Sequence, residues 1–157
     1  NIMTPAVNLL KKAKIAHQVH EYSHDAQHES YGLEAAEKLQ LEPSRVFKTL
    51  VVVLDSGQLA CAILPVNQML SMKTLAKTLG VKRAEMANKL DVQRSTGYVL
   101  GGVSPLAQKK RLPTVIDISA QDYPTIYISG GRRGLEIEMA ASELAQCLKA
   151  KFAQLNS

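Results

Sequence analysis

The run Arg45-Val46-Phe47-Lys48-Thr49-Leu50-Val51-Val52-Val53-Leu54-Asp55 constrains this chain more than any other stretch. Alternate side chains of a strand share a face, so Val46, Lys48, Leu50, Val52 and Leu54 lie together while Phe47, Thr49, Val51 and Val53 lie opposite. Apart from Lys48 and Thr49, both faces are apolar, and a strand apolar on both sides belongs inside a domain, not on its surface. The run is therefore read as a central strand. Lys48 is the residue out of place: its ammonium either snorkels out at the strand end or points into a polar cavity.

Other elements arrange themselves around this strand. Thr4 and Pro5 open a helix as cap and first helical residue, with Leu9, Leu10 and Ala13 inward and Lys11, Lys12 and Lys14 outward. Residues 17–22 alternate as a strand with Tyr22 at its mouth. Ser30 caps a helix over 31–39, where Leu33, Ala36 and Leu39 recur at helical spacing. Asp55-Ser56-Gly57 is a hairpin turn into a strand over 58–64. Ser71 starts a helix that Gly80 stops, and a second short helix is predicted over 83–90. From Asp91 the pattern predicts strands and turns, with β runs at 97–100, 114–118, 125–129 and 135–139. A last helix is predicted over 142–155, with Leu144, Leu148 and Phe152 on one stripe. The sum is an α+β fold, a curled, mostly antiparallel (mixed) β-sheet or partial barrel with helices packed outside.

At 157 residues the chain is read as a single domain over 3–157, Asn1 and Ile2 before Met3 being taken as a cloning remnant. Its 46% hydrophobic and 21% charged residues exclude wholesale disorder. Neither a bilayer-crossing run nor a signal pattern is present, so a cytoplasmic protein with no membrane partner is expected. The net charge of +5 favours a polyanionic partner. With no Trp and 4% aromatic residues, phosphates and one recognised end suit such contact better than a row of stacked bases.

Conventional catalytic machinery is missing from the sequence. Cys61 and Cys147 are isolated, without a CxxC. His17, His20, His24 and His28 fall within twelve residues. The first two, three apart on a strand, face opposite sides, and the others lie in a polar loop, so neither a metal site nor a cofactor is expected. There is no GxSxG elbow, P-loop or dinucleotide fingerprint. Two glycine-bearing turns remain, Gly101-Gly102-Val103-Ser104-Pro105 and Ser129-Gly130-Gly131-Arg132-Arg133-Gly134. Glycine lets backbone N–H groups approach a carbonyl oxygen or a phosphate closely, though tight β-turns need glycine as well.

Taken together, Val46-Phe47-Lys48-Thr49-Leu50, the 101–105 turn and Ile128-Ser129-Gly130-Gly131 leading to Gly134-Leu135-Glu136-Ile137 resemble the YbaK/ProX family of aminoacyl-tRNA editing domains, and most closely its bacterial Cys-tRNA(Pro) deacylase branch. The resemblance implies removal of a misattached amino acid from the 3′ end of tRNA. It makes Lys48, Gly101 and Gly102 catalytic, with Lys48 stabilising negative charge and the glycine amides cradling the ester. It makes Tyr22, Thr49, Pro105, Ser129 and Glu136 substrate-binding, Pro105 by stiffening its loop and Glu136 where relatives can carry aspartate. Lys109, Lys110, Arg111, Arg132 and Arg133 are expected on the tRNA backbone. The implied partners are the tRNA(Pro) acceptor end and prolyl-tRNA synthetase. For a cysteinyl ester the substrate's own thiol can attack and leave as a thiolactone, so no protein nucleophile is required. The alternatives are an Ala-tRNA(Pro) deacylase using water, and a non-catalytic tRNA- or synthetase-binding module. Lys48 is then expected at the mouth of an apolar cleft, facing the 101–105 loop.

Overall fold

A computed structural model describes residues 3–28 and 30–156; the reading of Asn1 and Ile2 lies outside them. In chain order the regular elements are α1 (Pro5–Ala13), β1 (Gln18–Glu21), α2 (Tyr31–Lys38), β2 (Phe47–Leu54), β3 (Leu59–Pro65), α3 (Met72–Leu79), β4 (Ala84–Met86), α4 (Lys89–Thr96), β5 (Thr114–Asp117), β6 (Ile126–Ser129), β7 (Leu135–Met139), α5 (Ala141–Leu148) and β8 (Lys151–Ala153). Side-chain oxygens set the starts of α1, α2 and α3 by accepting from first-turn amides that lack a partner within the helix: Thr4 from Val7 at 3.2 Å, Ser30 from Leu33 at 3.3 Å and Ser71 from Thr74 at 3.1 Å.

The strands form two sheets, β4-β2-β3-β5-β8 and β1-β7-β6. In the larger one β4, β2 and β3 run antiparallel, while β5 and β8 join parallel to their neighbours. The smaller sheet is antiparallel throughout. Among the described residues a single parallel backbone bridge, Val46 to Tyr127, links them. The fold is α+β and mostly antiparallel, in two sheets that do not close into a barrel.

Strand β2 is buried from both sides, as its two apolar faces require. Phe47 packs into a core with Leu10 of α1, Ile63 of β3 and Ile128 and Ile137 of the small sheet. Val51, on the same face, meets Tyr98, Val103 and Leu112. On the other face Val52 and Leu54 cluster with Leu75 of α3, Val115 and Leu155.

Three predicted elements differ. Residues 83–90 are not a helix: β4 pairs with the edge of β2, Val52 opposite Met86 and Leu54 opposite Ala84, and Asn88 then caps α4. Residues 97–100 are not a strand, because Gly97 (φ 82°) closes α4. The irregular segment that follows is held by Tyr98 Oη donating to the Leu106 carbonyl at 2.7 Å. The last helix stops at Leu148, where Lys149 turns left-handed (φ 51°), and Phe152 lies instead on β8 beside Ile116 of β5.

Lys149 adopts that left-handed conformation with a Cβ, which costs about 1 kcal/mol relative to glycine. Lys149→Gly is expected to raise the thermal midpoint by about 2 °C, measured by circular dichroism.

Candidate active site

Beyond the Val46–Tyr127 bridge, β6 leaves the edge of β2, and β4 does not join that edge until Val52. A cleft of about 370 Å³ fills the gap. Five consecutive residues, Val46 to Leu50, make one wall, and Tyr22, Ser129 and Glu136 of the small sheet make the facing one. Leu100, Gly101 and Val103 close it from the loop after α4, and Ser30, Tyr31 and Gly32 from the start of α2. The cleft thus brings together Tyr22, Lys48, Thr49, Gly101, Ser129 and Glu136, which are scattered over more than a hundred residues of sequence.

Two predicted residues sit elsewhere. Gly102 lies behind the lining, where a Cβ would fall 2.8 Å from Cα of Arg132; its role is to let the two glycine turns touch. Pro105 lines a separate pocket of about 170 Å³ with Leu9, Lys110, Arg111 and Cys147. A larger groove of about 630 Å³, between the β2–β3 hairpin, α3 and β4, contains none of the predicted site residues.

Within the cleft the electrostatics are uneven. The Lys48 ammonium donates to the Gln68 carbonyl at 2.6 Å. Half-burial lowers its pKa, and no described carboxylate forms a salt bridge with it. Lys48 is therefore built into the wall instead of snorkelling to solvent. Glu136 is 7% exposed, and burial pushes its carboxyl up to about 8. Tyr22 is pushed up to about 12, first by burial and then by the Glu136 charge. Thr49 Oγ1 is buried with no hydrogen-bond partner among the described residues.

Of the basic residues assigned to tRNA, Arg133 is committed inside the fold. Its guanidinium stacks 4.3 Å from the centre of the Tyr31 ring, pairs with the fully buried Glu34 at 3.1 Å, and donates to the carbonyls of Asp25 and His28. Burial alone would raise the Glu34 pKa; the Asp25 amide and Arg133 outweigh it and hold the carboxyl below its usual value. This knot seats Tyr31 against Gly101, whose positive φ of 92° and missing Cβ leave room for the ring. Arg132 pairs with Glu21 at 3.0 Å, whereas Lys109, Lys110 and Arg111 are exposed. Sequence reasoning missed Tyr31, Leu100, Glu34 and the Gln68 carbonyl. For Tyr31 a signal existed: a large aromatic beside the cap of a helix that shows Leu33, Ala36 and Leu39 as its apolar stripe. Among the described residues no group of three or more His, Cys, Asp or Glu could hold a metal ion.

The sequence profile of the aminoacyl-tRNA editing domain matches residues 28–147. The chain belongs to this family. Over 154 residues it is 36% identical to "Putative Cys-tRNA(Pro)/Cys-tRNA(Cys) deacylase EbsC" of Enterococcus faecalis, covering 98% of this chain and 93% of the relative. It is 26% identical over 113 residues to "Uncharacterized protein YwhH" of Bacillus subtilis, covering 72% and 71%. The solved structure of "a putative trans-editing enzyme for prolyl tRNA synthetase" superimposes with a TM-score of 0.86 at 22% identity, over 100% of this chain and 99% of that one, and shows the same fold. As an aminoacyl-tRNA editing domain the chain is a deacylase, an enzyme that cleaves the ester between amino acid and tRNA.

Truncating Glu34 to alanine strands the Arg133 charge in a partly buried site. Glu34→Ala is expected to cost about 3 kcal/mol of unfolding free energy, read from urea melts. Glu136 gives a pH signature of known sign. Because its folded pKa of about 8 lies above the unfolded value, its contribution is fully present below about pH 4.5 and is lost as pH rises through 8. Glu136→Gln is thus expected to melt at least about 3 °C above wild type at pH 9, with no such gain at pH 4.

Proposed function

We propose that this editing domain, spanning 3–157, removes cysteine from mischarged Cys-tRNA(Pro) in trans, with the substrate's own thiol as nucleophile. One observation carries the reading: the cleft offers a half-buried lysine and a glycine turn, while neither protein thiol lies in it. Cys61 is buried under the sheet, with its thiol pushed up to about 11 by burial, and Cys147 lines another pocket. No histidine lines the cleft among the described residues. Such a site positions and polarises; the attacking atom comes with the substrate. The name of the Enterococcus relative points to the same substrate.

The ester carbonyl lies between the Lys48 ammonium and the Gly101 backbone. The substrate sulfur attacks the carbonyl carbon and Lys48 stabilises the negative charge that develops on oxygen. As the C–S bond forms, the bond from carbon to the ribose oxygen breaks, and the thiol proton ends on the freed ribose hydroxyl. The thiolactone then leaves and takes up water to give cysteine. Tyr31 and Leu100, both exposed at the rim, offer apolar surface to the terminal nucleoside. Lys109, Lys110, Arg111 and Arg132 serve the tRNA backbone, and prolyl-tRNA synthetase supplies the identity of the tRNA. The reaction belongs in the cytoplasm and uses no cofactor; no helix among the described residues is long and apolar enough to cross a membrane.

Glu136 favours a second reading. A carboxyl whose pKa is about 8 is suited to activating water, as removal of alanine from Ala-tRNA(Pro) would require. Matched cysteinyl, alanyl and seryl esters of tRNA(Pro) separate the two. The first reading predicts fast release of cysteine alone with thiolactone among the products, and comparable rates for all three esters would replace it with the second. Lys48→Ala is expected to lower kcat/KM about a hundredfold or more without changing the circular dichroism spectrum.

A further inference from the structure

We propose that the exposed edge of β2 holds the substrate's aminoacyl group by backbone pairing with Thr49, as though that group were one residue of an added strand. The inference rests on the editing function proposed above and names the part of the substrate that the strand edge receives.

The ladder fixes which way the backbone of β2 points. The Val66 amide donates to the Val46 carbonyl, and the Leu54 amide donates to the Gln58 carbonyl, so even-numbered residues of β2 turn their polar groups toward β3. Odd-numbered residues turn theirs away. The Val51 carbonyl accepts from the Ala87 amide, and the Asp55 amide donates to the Arg83 carbonyl, both on the β4 side. Thr49 belongs to the odd set, but β4 pairs no earlier than Val52, and β6 meets this edge only at Val46. The Thr49 N–H and C=O therefore face the gap, and among the described residues no ladder extends to Thr49 on that side. The gap is the cleft itself, which is why five successive residues of β2 line it instead of every second one.

A half-buried edge with one unpaired residue is an incomplete ladder, and completing it calls for one donor and one acceptor at the spacing of a single residue. In a hydrogen-bonded antiparallel pair, each residue gives its N–H to the other's C=O. An aminoacyl ester carries just these groups, an α-ammonium and a carbonyl oxygen across one carbon. The ammonium donates to the Thr49 carbonyl, and the Thr49 amide donates to the ester oxygen from the side opposite Gly101. Directly paired residues share a face, so the substrate side chain lies beside the Thr49 side chain, whose buried Oγ1 has no hydrogen-bond partner among the described residues. Recognition by this edge reads the amino-acid backbone common to all aminoacyl esters and leaves selectivity to the face beyond.

Thr49→Pro removes the outward N–H while leaving every bond to β3 intact, a position where proline is tolerated; Thr49→Val keeps the amide and removes only the hydroxyl. The assay is turnover of cysteinyl-tRNA(Pro). If wild type fails to release cysteine, the cysteinyl function proposed above is overturned, and with it the holding of a cysteinyl group by this edge. If wild type is active, kcat/KM for Thr49→Pro is expected at least about tenfold below that of Thr49→Val, and equal values overturn the pairing. Should Thr49→Pro lose its fold by circular dichroism, the wild-type enzyme is given the 3-mercaptopropionyl ester, which keeps the thiol and lacks the α-ammonium. Its acceleration over the uncatalysed rate is expected to be at least about tenfold smaller than for the cysteinyl ester, and an undiminished acceleration overturns the proposal.

Discussion

Among the described residues one backbone bridge, between Val46 and Tyr127, joins the two sheets of this protein, and the site depends on that junction being so short. On its other edge β2 is paired along its whole length by β3. The free edge is shared by β6, which bridges it at Val46, and β4, which pairs with three of its residues. Two parallel strands that start side by side and then diverge leave a wedge between their carboxyl ends, the place where polar backbone and polar side chains can both reach a ligand. A longer junction would have filled the wedge with sheet; without one, the halves would have lost the register that sets Glu136 and Ser129 opposite Lys48.

Burial gives the wedge its chemistry. Lys48 and Glu136 occupy facing walls, and the same desolvation that lowers the lysine's pKa raises the carboxyl's. Each group is thereby biased toward its neutral form. Stability is given up to keep these two ionisable groups poorly solvated, a pattern typical of functional sites.

Where local chemistry dictated structure, the sequence was readable. Thr4, Ser30 and Ser71 announced three helix starts, Gly80 one helix end, and the two-sided run at 46–54 the strand on which everything is built. The failures have a common cause in pairing partners that sequence does not display. Arg83-Ala84-Glu85-Met86 alternates polar and apolar residues, but over too short a run to outweigh a helical reading, and it becomes a strand because the edge of β2 is vacant beside it. Phe152 fits a helical stripe, yet β5 claims it once Lys149 has turned the chain. The site was legible in part through the glycine turns and Lys48. Arg133 looked like a surface cation because its partner Glu34, ninety-nine positions away, is itself inconspicuous in a polar helix.

The close approach of Gly102 to the backbone of Arg132, thirty positions on, makes the two glycine turns a single piece of architecture. Neither can change length alone. An inserted residue in one would carry its backbone through the other, so the pair must keep its spacing as a lineage diverges, while the exposed Asp55–Gly57 hairpin turn, with nothing near its glycine, is free to grow or shrink. Room for added length thus lies at the end of β2 remote from the cleft.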